Sequence, residues 1–154
     1  MPGKPITILG ISPGTRCLGY AILSDGELVD WGLKTFKGKW TKSRENKILM
    51  VFNRLVADYQ VSAVALKVCR SVHRTSNLNW VYSLMKATVK KNGLKLSVFS
   101  IEKLKQNCHG AKNKRDIAQF VKSSFPELND NLTGDPHGAN LRQYEAIAVV
   151  LCSN

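Results

Sequence analysis

The sequence predicts an α/β domain with a mixed five-stranded sheet, three strands in a meander and the rest parallel, and helices on both faces. Short runs rich in Ile, Leu and Val precede turn dipeptides early in the chain. Val61 to Val68 is a continuous apolar run, the pattern of a strand buried on both faces of a parallel sheet. The segments between the later runs carry apolar residues at helical spacing.

The elements follow in order. Ile6 to Ile11 is apolar and ends at Pro13-Gly14, which suits a buried strand and a tight turn. Leu18 to Leu23 is the second strand, and Asp25-Gly26 is a two-residue turn signal that returns Glu27 to Phe36 as the third. Gly38 to Ser43 is a loop. From Arg44 to Tyr59 the residues Ile48, Phe52, Leu55, Val56 and Tyr59 share one helical face, with Lys47, Arg54 and Asp58 off it. The polar, basic loop CRSVHRTSN follows the strand at Val61 to Val68. Leu78 to Lys91 is helical and stops at Asn92-Gly93. Leu94 to Phe99 is the next strand, and Ser100 is placed to cap a short helix, Ile101 to Asn107. A helix from Lys114 to Ser123 stops before Pro126, and an apolar helix, Asn140 to Leu151, closes the chain. Three meandering strands followed by helix-linked parallel strands make a ribonuclease-H-like sheet, which by itself implies no chemistry.

With 154 residues, 44% of them hydrophobic, and no linker or internal repeat, the chain reads as one domain over 1–154. No run has the length of a membrane span, and the opening MPGKP lacks a signal pattern, so a cytoplasmic location is expected. The four cysteines, Cys17, Cys69, Cys108 and Cys152, form no C-x-x-C pair, and reduced thiols are expected. Twenty-three Lys and Arg against eleven acids give a formal charge of +12, which favours a polyanionic partner. The basic residues cluster around Lys39 and Trp40, around Lys67, Arg70, His73 and Arg74, and around Lys112, Lys114 and Arg115. Trp40 suits either a stacking platform or a core anchor. Trp80 and Tyr82 suit core or dimer contacts.

ILGISPGT, Ile8 to Thr15, followed by LGYAIL resembles the opening of the RuvC family of Holliday-junction resolvases, which reads I-L-G-I-D-P-G-[ST]. The resemblance continues in order through Val64 to Lys67, through SIEKLKQNCHGAKNKRDIAQFV, and into YEAIAVVL. It implies a nuclease scaffold on which two divalent metals are held by carboxylates at the ends of the first and fourth strands and near the start of the last helix. Hard, octahedral Mg²⁺ needs such convergent oxygens. This chain departs from the pattern at the decisive places. Ser12 stands at the end of the first strand, Lys67 at the end of the fourth, and only Glu145 remains on the last helix, with Arg142 one turn earlier. Of the other acids, Glu102 and Asp135 alone are placed to approach the sheet's centre.

The expected arrangement is a Lys67–Glu145 ion pair, or hydrogen bonds with Ser12, closing the former metal position. Ser12 is also expected to hydrogen-bond the backbone of its turn. The resulting reading is a catalytically inactive nucleic-acid-binding relative, with DNA as partner, no cofactor, no membrane and room for a homodimer. Its expected contacts are Arg16, Lys39, Arg70, Arg74, Lys112, Lys114 and Arg115. The alternatives are a divergent Mg²⁺- or Mn²⁺-dependent endonuclease using Glu145, Asp135 and Glu102, and a non-catalytic assembly subunit.

Overall fold

The computed structural model describes residues 6–69, 75–108, 110–125, 128 and 141–153. β1 (Thr7–Pro13), β2 (Cys17–Ser24) and β3 (Glu27–Thr35) form the meander. Asp25 and Gly26 both take positive φ, 49° and 83°, the conformation that a two-residue turn between right-twisted strands requires. α1 (Lys42–Asp58) leads to β4 (Ala63–Val68), and α2 (Ser76–Lys91) leads to β5 (Lys95–Ser100). α3 (Ile101–Asn107), α4 (Lys114–Ser124) and α5 (Leu141–Ser153) complete the described chain. Each boundary lies within about two residues of the sequence expectation, the usual uncertainty of helix and strand ends.

The helix starts follow from side-chain caps that satisfy backbone N–H groups left over in the first turn. Thr41 accepts from the Arg44 N–H, Thr75 from Leu78, Ser100 from Lys103 and Asn113 from Asp116.

The sheet order is β3-β2-β1-β4-β5. β1 pairs antiparallel with β2 and parallel with β4, and β4 pairs parallel with β5, so the first and fourth strands lie side by side at the centre. Side chains alternate between two cores. Leu9, Ile11, Val64 and Leu66 pack with Ile48 and Phe52 of α1 and with Val81 and Met85 of α2. Ile8, Ala21 and Ala65 pack on the other face with Ala146, Ile147, Val149 and Val150 of α5, and Ile117 and Val121 of α4 join them. β4 is buried almost throughout, as its unbroken apolar run implies. β5 is an edge strand with its first four residues exposed. Among the described residues no helix is long and apolar enough to cross a membrane.

Two glycines set how closely α5 approaches. A Cβ on Gly10 would lie 2.3 Å from the Ala146 carbonyl oxygen, and one on Gly19 would lie 2.2 Å from that of Arg142. With no side chain at either place, the first turns of α5 rest directly on β1 and β2. Arg44 is buried too: its guanidinium donates to the carbonyls of Thr15 and Gly38, joining the β1–β2 turn to the loop before α1.

Candidate anion and nucleic-acid site

Parallel pairing of β1 and β4 runs from Ile8–Ala63 to Ile11–Leu66, so Ser12 and Lys67 are the next residues on two adjacent central strands. By alternation, Ser12 shares a face with Ile8 and Gly10, and Lys67 shares a face with Ala63 and Ala65. That is the face covered by α5. The close approach permitted by Gly10 and Gly19 brings Glu145, in the second turn of α5, to the same point.

All three side chains are buried: Ser12 is 0% exposed, Lys67 4% and Glu145 1%. Lys67 Nζ stands 2.6 Å from Glu145 Oε2, a charge-assisted contact, and Lys114 Nζ stands 3.8 Å from Oε1. The ion pair expected from the sequence therefore forms. The hydrogen bonds expected of Ser12 do not: its Oγ has no partner among the described residues. The turn is held by backbone instead, with the Gly14 N–H donating to the Cys17 carbonyl at 2.8 Å. Burial under α5 takes the hydroxyl away from the loop backbone it was expected to bond.

Arg142, one turn before Glu145, donates from Nη1 to the Pro13 carbonyl at 3.1 Å. Its guanidinium lies over Gly14, where a Cβ would come within 2.7 Å of Cζ. A cavity of about 480 Å³ opens here, lined by Lys67, Lys105, Lys114 and Arg142, with Tyr82 and Leu78 among its apolar walls.

Such a donor set does not fit the two hard dications that the resemblance implies. Mg²⁺ takes oxygen ligands in near-octahedral geometry, whereas the described residues supply the position with one hydroxyl, one ammonium and one carboxylate already paired with that ammonium. Glu102 is exposed in the first turn of α3, and Asp135 lies outside the described residues. Among the described residues no cluster of three or more His, Cys, Asp or Glu could hold a metal.

Of the expected nucleic-acid contacts, Lys114 lines the cavity, and Lys112 and Arg115 flank it, exposed around the start of α4. Arg16 is exposed in the β1–β2 turn, and Lys39 is exposed on the connection to α1. Arg70 and Arg74, with His73, lie outside the described residues. Trp40 is an anchor: it packs against the α1–α2 core and donates from Nε1 to Glu45 at 3.2 Å. Tyr82 is core, its hydroxyl accepting from the Cys69 N–H at 2.9 Å, whereas Trp80 is half exposed. Sequence reasoning missed Arg142 and Lys105 as functional groups. Arg142 had a signal, since residues three apart on a helix share a face; Lys105 had only its place in the basic cluster with Lys103, Lys112, Lys114 and Arg115, because the docking of α3 is what turns it towards the sheet.

No family model matches the chain, and no curated protein matches it significantly in sequence. Solved structures do. The structure of RuvC from Thermus thermophilus is similar over 95% of this chain and 92% of its own, with a TM-score of 0.72 and 17% identity. The same protein in complex with Holliday junction substrate gives 0.71 at 17% identity, covering 95% of this chain and 90% of its own. A Fowlpox virus resolvase in complex with substrate Holliday junction DNA gives 0.61 at 16% identity, over 96% of each chain. The fold is the RuvC-like, ribonuclease-H-like one.

Proposed function

We propose that the chain is a nucleic-acid-binding protein, with DNA as its ligand, that uses a resolvase scaffold without cutting the phosphodiester backbone. The observation that carries the reading is the Lys67–Glu145 contact: an ammonium sits against the one carboxylate that is buried among the described residues, at the position where the resemblance places a metal. A cation at that point repels a dication and occupies the oxygen that would ligate it. The formal charge of +12 and the cationic groups around the carboxyl ends of β1 and β4 favour a polyanion. Backbone contacts of this kind need no metal. Two of the similar structures hold Holliday junction DNA, which makes a four-way junction the first ligand to test.

The test is fluorescence anisotropy with a four-way junction and a linear duplex in EDTA, across a salt series. The affinity falls with salt at a log-log slope of roughly −0.9 per phosphate neutralised. Charge reversal at Lys112 and Arg115, or at Arg70 and Arg74, weakens binding more than reversal at Lys90 and Lys91. Equal losses would reduce the site to a diffuse cation. Mg²⁺- or Mn²⁺-dependent cleavage of the junction, abolished by Glu145→Gln, would overturn the non-cutting reading.

A further inference from the structure

We infer that the cavity beside Ser12 holds one phosphate group directly on protein cations, without a metal. The inference deepens the reading above, on which it rests, by naming the group bound and the residues that bind it.

Among the described residues, four cationic side chains line the cavity and no acidic one does. The nearest buried carboxylate, Glu145, is engaged by Lys67 and approached by Lys114, so it offsets one charge of the four. Arg142 and Lys105 have no carboxylate partner among the described residues. A concave site with uncompensated positive charge and low-dielectric walls concentrates anions.

The groups are also arranged for an oxyanion. Arg142 is held in place by the Pro13 carbonyl through one of its five N–H donors, which leaves the others for a ligand in the planar fork geometry that suits phosphate. Gly14 makes room for that guanidinium. Lys114, in the first turn of α4, adds a flexible ammonium, half exposed at the mouth, and Lys105 adds a second from α3. Lys67, at the floor, supplies the fixed charge. The apolar walls, Leu78 and Tyr82, lower the local dielectric on one side and strengthen the contacts beside them.

A phosphate could come from a DNA backbone or from a phosphorylated end, and the experiment separates the two. The full chain is melted in sodium phosphate and in sodium chloride of equal ionic strength, each with EDTA. Phosphate gives a saturable rise in Tm of several degrees over chloride. Arg142→Gln and Lys105→Gln each remove most of the rise, while Lys90→Gln keeps it. Lys105 is the safeguard, because its half-buried side chain makes no hydrogen bond or ion pair among the described residues. Duplexes with 5′-phosphate or 5′-hydroxyl ends are then compared. Equal affinity with equal sensitivity to Lys105→Gln assigns the backbone as the source, and preference for the phosphorylated end assigns the terminus.

No rise over chloride, a rise that requires Mg²⁺, or a rise that survives both substitutions would overturn the inference. DNA binding retained without the rise would leave the proposed function standing. The rise without DNA binding would sink the function and leave the anion site.

Discussion

Lys67 Nζ and Glu145 Oε2 stand 2.6 Å apart beneath α5, with side chains 5% and 1% exposed, and they tie a central strand to the last helix. A buried pair of this kind is weak evidence for stability, because desolvation offsets much of the attraction, but removing Lys67 leaves Glu145 charged and buried with only the half-exposed Lys114 ammonium 3.8 Å away.

Lys67→Met is therefore expected to destabilise the protein by about 3 kcal/mol, or roughly 6 to 12 °C in Tm. Adding Glu145→Gln recovers part of that loss, since a neutral amide is cheaper to bury than an isolated carboxylate. Differential scanning calorimetry of the two single variants and the double variant measures the coupling. Strictly additive effects would mean that the two residues do not interact.

Restoring acids should restore a metal site. Ser12→Asp with Lys67→Glu gathers three carboxylates, with Glu145, at the carboxyl ends of β1 and β4. Mg²⁺ or Mn²⁺ is expected to stabilise this variant, by about 2.7 kcal/mol at a hundredfold excess over Kd, and to leave the parent unchanged. Thermal melts with and without the ion decide it. An absent shift would count against aligning positions 12 and 67 with metal ligands.

The glycines under α5 give a packing prediction. Gly19→Ala would drive a Cβ to within 2.2 Å of the Arg142 carbonyl, and the helix must move. Overpacking of this kind costs about 1 to 3 kcal/mol. The displacement also carries Arg142 and Glu145 away from the strand ends, so phosphate-dependent stabilisation falls together with Tm. Gly26→Ala, at a surface turn where a Cβ meets nothing, strains the backbone at its positive φ and leaves the phosphate effect intact.

Alkaline stability depends on Asp30, whose Oδ2 accepts hydrogen bonds from both the Tyr20 and the Tyr59 hydroxyl. Burial, then the Asp30 charge, pushes Tyr20 up to about 12, and for Tyr59 the hydrogen bond to Asp30 comes first and pushes it up to about 12. Both groups keep their protons more tightly when folded than at their ordinary value near 10. Their contribution is thus full below pH 10 and is lost as pH rises towards 12. Asp30→Asn is expected to narrow that window: tyrosinate absorbance then appears at lower pH, while Tm at pH 7 falls modestly. An unchanged tyrosinate titration would rule out the shared carboxylate as the cause.

The sequence by itself determined most of the architecture. Ile- and Leu-rich runs against turn dipeptides marked β1 to β3, the unbroken run before Lys67 marked a strand buried on both faces, and Ser100 marked a helix start that its side chain does cap. These features are local: periodicity, capping and turn chemistry act over a few residues and can be read without knowing what packs where. The replacement of the expected acids at positions 12 and 67 was equally legible, because the motifs around them fix their place on the strands. Tertiary structure alone decided the rest. Whether Glu145 reached Lys67 depended on how deeply α5 sits, which two glycines on other elements control. Ser12 lost its expected backbone partner because burial beneath a distant helix outweighed the habit of its turn. In sequence, Lys105 and Lys114 belong to one basic cluster and Arg142 stands one turn before Glu145, with nothing to join the two groups. They become one site only when α3, α4 and α5 converge on the carboxyl ends of β1 and β4, since the field of a cluster depends on distances that no local pattern encodes.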